Sequence, residues 1–143
     1  MNFRAINHTI GLIILLEMAF MLPSLAWCWV DRDPASARAF GAAFVVMGLC
    51  ALLFLLVGRR ARGNFFAREG FVTVAVSWIV LSLLGCLPFY FSGEIPHYVD
   101  ALFEVVSGFT TTGASILADP AEMSRGLLFW RSTTHWLGGM GIL

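Results

Sequence analysis

Three long apolar stretches dominate the first two thirds of the chain. They cover residues 9–30, 39–57 and 71–91, and Glu17 is the single charged residue within them. A helix that crosses the hydrocarbon core of a bilayer needs about 20 consecutive apolar residues. The pattern therefore predicts three transmembrane helices. We expect Glu17 to face protein or the cytoplasmic half of the membrane, because a charge facing lipid is costly.

The pattern changes after residue 91. Residues 99–109 have apolar positions at helical spacing, but at this length a helix spans roughly 16 Å, about half a bilayer. A polar run, TTTGAS, follows at residues 110–115. The last apolar segment, residues 127–143, is predicted to form a fourth helix that is cut short where the chain stops.

A half-length helix followed by a polar loop between membrane helices is typical of a re-entrant pore loop. Non-helical backbone at membrane depth is tolerated where it is buried in protein or lines a watery cavity. There its carbonyls can replace the hydration shell of a cation, and the negative end of the half-helix, near Phe109, adds to the attraction. Gly113 permits a backbone angle that other residues avoid. From spacing alone, an ordinary extracellular loop with threonines as turn residues remains the alternative.

Composition supports the membrane assignment and narrows the function. Hydrophobic residues make up 59% of the chain and charged residues 13%, about half the charged share of a soluble domain. We therefore expect the protein to be surrounded by lipid. The net charge is zero, which gives no basic face for nucleic acid. Cys28, Cys50 and Cys86 show no metal-ligand or disulfide spacing, and no catalytic motif is present. We expect an all-α integral membrane protein that is not an enzyme.

The linkers predict the orientation of the chain in the membrane. Residues 58–69 read GRRARGNFFARE and contain four arginines: Arg59, Arg60, Arg62 and Arg68. Loops rich in arginine and lysine stay on the cytoplasmic side. The linker and the amino terminus are therefore predicted to be cytoplasmic. The first apolar helix is expected to be retained, because no small-residue cleavage site follows it.

Two runs of residues carry a family resemblance. DALFEVVSGFTTTGAS (residues 100–115) and GLLFWRSTTHWLGGMGIL (residues 126–143) resemble the first pore segment of the TrkH family, the membrane subunits of Trk/Ktr potassium uptake systems. Residues 9–57 resemble the additional helix pair that precedes the first repeat in this family. The resemblance implies four helix–pore loop–helix repeats around one potassium pathway, of which this sequence contains one. It also implies a homodimer in the bacterial cytoplasmic (inner) membrane, a cytosolic nucleotide-binding regulatory subunit, and potassium as the transported ion, with no other cofactor.

The resemblance also implies which residues form the selectivity filter. Thr111, Thr112, Gly113 and Ala114 match the first filter, so their backbone carbonyls are candidates for ion coordination, with potassium at Thr111, Thr112 and Gly113. Glycine at position 113 matches the potassium-type residue, whereas some sodium-permeable relatives have serine there.

Four polar residues near the loop are candidates for supporting roles. Asp100 lies near the amino end of the half-helix, where the helix dipole favours an acid; attraction of cations at the outer mouth is the alternative. Glu104 and Arg131 lie at matched depths, and each needs a partner inside the membrane, so we predict that they pair. His135 is expected to be a hydrogen-bonded packing residue, with a ligand role as the alternative. The glycines after it, Gly138, Gly139 and Gly141, predict close helix contact or a bend.

The sequence therefore predicts a transmembrane helix pair at residues 1–58, a cytoplasmic linker at 59–70 and a first, incomplete pore repeat at 71–143. The expected function is potassium uptake across the cytoplasmic membrane, as the first part of a four-repeat pore subunit. Two alternatives belong to other classes. One is a small, non-transporting membrane accessory protein, and the other is a secondary transporter with a broken helix at its binding site.

Overall fold

The computed structural model describes residues 3–59 and 67–141, and every regular element in those ranges is helical. Three segments are long and apolar enough to cross a membrane: Phe3–Val30, Pro34–Gly58 and Ala67–Ser92. The predicted all-α membrane class is confirmed. In chain order, the elements are α1 (Phe3–Val30), α2 (Pro34–Gly58), α3 (Ala67–Gly85), α4 (Leu87–Ser92), α5 (Tyr98–Phe109), a 3₁₀ turn (Pro120–Glu122) and α6 (Arg125–Gly141).

Both amino-terminal helices begin earlier than their apolar windows. The start of α2 is set by Asp33, whose Oδ1 accepts hydrogen bonds from the backbone N–H groups of Ala35 (3.1 Å) and Ser36 (3.2 Å). Hydrogen bonding, chiefly from Ser36, lowers the pKa of Asp33. A polar cap and Pro34 in the first turn define this end, so the helix begins five residues before its apolar run.

The helices α1 and α2 form a hairpin around small residues. Ala39, Ala43, Met47 and Ala51 recur every four residues on α2 and are all buried. Small side chains at this spacing allow two helix backbones to approach closely. On the outside of the pair, large apolar side chains are exposed and suited to contact lipid, among them Leu49, Leu52, Leu53 and Leu56.

The third apolar stretch is broken, which corrects the prediction of one continuous helix over residues 71–91. Pro88 lies near the end of that stretch, where the loss of one backbone hydrogen bond was expected to matter least, yet α3 ends at Gly85 and α4 begins at Leu87. Pro88 has no N–H to donate and cannot continue the hydrogen-bond ladder of α3. Side chains of other elements bind two carbonyls next to the break: Tyr98 Oη donates to Leu83 O (2.8 Å), and Trp130 Nε1 donates to Gly85 O (2.9 Å).

The α1–α2 turn and the start of α6 meet at one end of the bundle. Arg125 forms an ion pair with Asp31 at 3.4 Å, and the hydroxyl oxygens of Ser36 and Ser124 are 2.9 Å apart. The loops of residues 31–33 and 118–124 therefore lie on the same side.

The opposite end of the bundle contains the last turn of α2 and the start of α1. The backbone of Gly58 packs so closely on His8 that an added Cβ would lie 2.6 Å from the His8 nitrogen. This end leads into the arginine-rich linker, of which Arg60 and Arg62 lie outside the described residues. The two-sided arrangement agrees with the predicted topology, and the side that faces the cytoplasm stays a prediction.

Candidate functional site

The half-length helix predicted at residues 99–109 is confirmed as α5, Tyr98–Phe109. At 1.5 Å per residue, its twelve residues extend roughly 18 Å, about half of a bilayer. One face is buried against α3 and α6, through Ala101, Val105 and Phe109, while Phe103 is exposed. Helix α5 therefore has the length and the packing of a pore helix.

The chain reverses direction directly after α5. The N–H of Thr111 donates to Gly108 O (2.9 Å), and the N–H of Thr112 donates to Ser107 O (3.0 Å). Two residues in this turn have a left-handed backbone: Thr111, with φ of 56°, and Gly113, with φ of 74°. A positive φ was predicted for Gly113 but missed for Thr111, where it costs a residue with a Cβ roughly 1–2 kcal/mol.

The turn presents a row of carbonyl groups without partners. Thr111, Thr112 and Gly113 are exposed, and their carbonyl oxygens accept no hydrogen bond from any residue that the structure describes. The next carbonyl, of Ala114, accepts a hydrogen bond from Ser107 Oγ at 2.6 Å. Three consecutive carbonyls can therefore bind a cation without losing an internal bond.

Glu104 joins α5 to the loop and to α6. Its Oε1 lies 2.5 Å from Arg131 Nε, so the predicted pairing of these residues is confirmed. Its Oε2 accepts hydrogen bonds from Ser115 Oγ (3.0 Å) and from the N–H of Ile116 (3.3 Å), which the sequence analysis missed. The Glu104 side chain is fully buried. One carboxylate thus fixes the carboxyl end of the loop.

Helix α6 packs directly on the last turn of the pore helix. A Cβ at Gly138 would overlap the carbonyl oxygen of Phe109, so the predicted close contact is confirmed at this glycine. His135 has its Nδ1 2.9 Å from the carbonyl of Arg131, as expected of a packing histidine. Asp100 lies in the first turn of α5, where the dipole favours it, and its attraction of cations stays a prediction.

Besides Ser115 and Ile116, two further supporting residues were not identified from the sequence. Ser107 fixes the Ala114 carbonyl, and Trp130 binds the α3–α4 break. A serine on the buried face of α5, one turn before the TTTG loop, was a usable signal for Ser107. Trp130 gave no such signal, because its partner is a backbone carbonyl 45 residues earlier in the chain.

Comparison with known proteins decides the family. The sequence profile of the TrkH family, described as cation transport proteins, matches residues 39–143. The chain belongs to the TrkH family. It is thus a multi-pass membrane protein with the fold of this family, and the relatives that it matches are transport proteins.

The relatives give the extent of the match. The Trk system potassium uptake protein TrkH of Salmonella typhimurium is 41% identical over the whole chain, and that of Escherichia coli K12 is 39% identical. The crystal structure of the potassium transporter TrkH from Vibrio parahaemolyticus superposes with a TM-score of 0.89, at 35% identity over 99% of the chain. In each case the chain spans 30% of the relative's length.

Proposed function

We propose that this chain forms the first pore repeat of a potassium uptake subunit. The observation that carries the proposal is the row of unbonded, exposed carbonyls at Thr111, Thr112 and Gly113, directly after a half-length helix. The names of the TrkH relatives as potassium uptake proteins support potassium as the ion.

The mechanism is dehydration and rebinding. A potassium ion that leaves water exchanges hydration oxygens for carbonyl oxygens, here those of Thr111, Thr112 and Gly113. Ala114 supplies a fourth carbonyl, oriented by its bond from Ser107. The carboxyl end of α5 adds the partial negative charge of a helix terminus. No covalent bond is made or broken in this passage, so it needs no catalytic residue.

Glu104 and Arg131 hold this geometry without adding net charge. Because the two charges cancel, the cation is attracted by the carbonyls and by the negative end of α5. The bonds of Glu104 to Ser115 and Ile116 hold the loop against α5. Asp100, at the start of the pore helix, attracts cations to the mouth.

The wider assembly follows from the family resemblance. Residues 1–58 form a membrane helix pair, 59–70 a cytoplasmic linker and 71–143 the first repeat. The amino terminus is cytoplasmic in a bacterial inner membrane. The pore is completed by three further repeats, the subunit forms a homodimer, and a cytosolic nucleotide-binding subunit regulates it.

One observation argues against a broken-helix secondary transporter. Such a transporter uses the unbonded backbone groups of an interrupted helix as ion ligands. In α3–α4, the carbonyls of Leu83 and Gly85 instead accept bonds from Tyr98 and Trp130. These two carbonyls at the break are therefore paired, whereas those of Thr111, Thr112 and Gly113 accept no hydrogen bond from a described residue.

A chimera tests the proposal. This chain replaces the segment of Salmonella TrkH with which it aligns, and the chimera is expressed in a bacterium that lacks its own potassium uptake systems. We expect growth at limiting potassium and uptake of rubidium as a tracer, with native TrkH as the positive control. A chimera that inserts in the membrane but moves no rubidium would support a non-transporting accessory role.

A further inference from the structure

Glu17 is a buried acid that the proposed ion path does not use. It lies in the middle of α1 and is 3% exposed, in agreement with the expectation that it faces protein. Neither of its carboxylate oxygens has a hydrogen-bond partner among the residues that the structure describes. An ionised carboxylate in such a place loses its hydration and gains nothing in return.

The surroundings of Glu17 are apolar. It lines a cavity of about 170 Å³ together with Trp78 and Leu81 of α3, Phe109 of α5 and Leu137 of α6. These side chains offer no oxygen ligands to a metal ion. A cavity of this kind favours the neutral form of a carboxyl group over the charged form.

The carboxyl group also lies against the pore repeat. Its Oε1 approaches Gly85 so closely that a Cβ there would lie 2.6 Å away. The same Cβ would lie 3.6 Å from Phe109, the last residue of the pore helix. Glu17 is therefore a neighbour of the end of α5 that leads into the filter.

No described cation compensates the charge of Glu17. Cys86, at the α3–α4 break, is close enough to interact with it electrostatically, but a thiol supplies no positive charge. Arg131 of α6 is paired with Glu104 of α5, and His135 is bonded to the Arg131 carbonyl. Three other charged or titratable side chains on the packed helices also have partners elsewhere. Arg125 of α6 is paired with Asp31, Arg38 of α2 donates to Pro34 O, and Tyr98 of α5 donates to Leu83 O.

We propose that Glu17 is a proton-binding site within the membrane. As a carboxylic acid it holds its proton beside the end of the pore helix, and release of that proton leaves a negative charge next to the cation path. The occupant is a proton rather than a metal ion, because the other side chains that line the cavity have no ligand oxygens and because a proton removes the charge of the single acid in it.

The second half of this inference rests on the proposed potassium function. Gain or loss of a unit charge about 10 Å from a cation, in a medium of effective dielectric constant about 20, changes cation binding on the order of tenfold. As pH rises and Glu17 loses its proton, cation binding in the first filter segment becomes tighter. Uptake at limiting potassium then increases with pH.

Infrared spectroscopy tests the proton site independently of transport. We compare the purified chimera with Glu17→Gln, which has nearly the same shape and carries no proton to lose. The chimera should show a protonated-carboxyl band at neutral pH that is absent from Glu17→Gln and persists in Glu122→Gln, a control at an exposed acid of the 3₁₀ turn. Identical spectra of the chimera and Glu17→Gln would overturn the proposal. Glu17→Met should also fold, because it replaces a neutral acid; loss of folded protein in both variants would show an ionised, compensated Glu17.

Rubidium uptake across a pH series tests the link to the ion path. The chimera should take up more rubidium as pH rises, by up to about tenfold at limiting concentration, whereas Glu17→Gln should keep the lower rate throughout. Parallel pH profiles would contradict the link to the filter. Failure of the chimera to transport at any pH would instead contradict the proposed function, and the infrared result would still decide the proton site.

Discussion

At the scale of single residues, the site depends on polar groups whose partners lie far away in the sequence. Glu104 and Arg131 are 27 residues apart, yet they form a buried ion pair between α5 and α6. The same carboxylate binds Ser115 and Ile116. A buried charge of this kind is stable only while all its partners are present. Removal of the Glu104 charge should therefore destabilise α5, α6 and the loop.

The first prediction concerns this pair. Glu104→Gln leaves the Arg131 guanidinium without its counter-ion, and loss of one partner of a buried pair costs about 3–5 kcal/mol. We expect a clear drop in the thermal unfolding temperature of the chimera in detergent. Asp31→Asn is the matched control, because it removes the ion pair with Arg125, whose side chain is 73% exposed, and such pairs contribute about 0–1 kcal/mol. Equal effects of the two substitutions would show that the buried pair is not important for stability.

At the scale of elements, the sequence predicted the helices well and their ends less well. The apolar runs gave three membrane crossings, and the half-length α5 followed from the short run of residues 99–109 before the polar TTTG loop. The start of α2 was missed because it is set by the Asp33 cap rather than by hydrophobicity. The break at Cys86 was missed because Pro88 lies near the end of its apolar run, where its effect on the helix was expected to be small.

The candidate site was predictable to a similar degree. A lone glycine in a polar loop indicated the left-handed backbone at Gly113, and matched depth in the membrane indicated the Glu104–Arg131 pair. The left-handed Thr111 was not predicted, because threonine disfavours that conformation; it occurs where local backbone hydrogen bonds to Gly108 and Ser107 end α5. The roles of these residues in ion binding stay predictions.

The second prediction tests the bond that closes the α3–α4 break. Trp130→Phe removes the indole N–H from the Gly85 carbonyl but keeps an aromatic ring in the core. A buried polar group left without its partner costs about 1–3 kcal/mol, so the variant chimera should unfold at a lower temperature. Trp136→Phe, at a 55% exposed tryptophan of the same helix, is the control and should have a smaller effect. No difference between the two would mean that water satisfies the Gly85 carbonyl.

At the scale of the whole molecule, the described helices have two distinct ends. The α1–α2 turn and the loop before α6 meet at one end, while the last turn of α2 and the start of α1 meet at the other. The positive-inside rule predicts that the second end faces the cytoplasm, because it leads into the arginine-rich linker.

The third prediction tests that orientation by cysteine labelling. In a chimera whose native cysteines are replaced, a membrane-impermeant thiol reagent added outside intact cells should modify Ala35→Cys and Ala121→Cys, since both positions are exposed. It should spare Asn64→Cys in the linker, which becomes reactive once the cells are opened. Ser36, next to Ala35, is buried and unsuitable as a probe. Modification at position 64 in intact cells would reverse the proposed topology.

The filter assignment itself is tested most directly at Gly113. Gly113 has φ of 74° and open space where a Cβ would lie. A larger residue is therefore disfavoured here by the backbone conformation and not by contact with neighbouring atoms. In Gly113→Ser, a Cβ in the left-handed region costs roughly 1–2 kcal/mol, which should displace the adjoining carbonyls. Gly93 is a matched control, with φ of 80°, equally open space and a position outside the pore loop.

The measurement is competitive uptake of potassium against sodium by the chimera and by the two variants. Gly113→Ser should weaken the preference for potassium by up to about tenfold, the equivalent of 1.4 kcal/mol, while still transporting, because one of four proposed filter segments is changed. Gly93→Ser should leave the ratio as it is in the chimera. An unchanged ratio in Gly113→Ser would mean that Gly113 is an ordinary turn glycine and that the loop of residues 110–115 is not a filter.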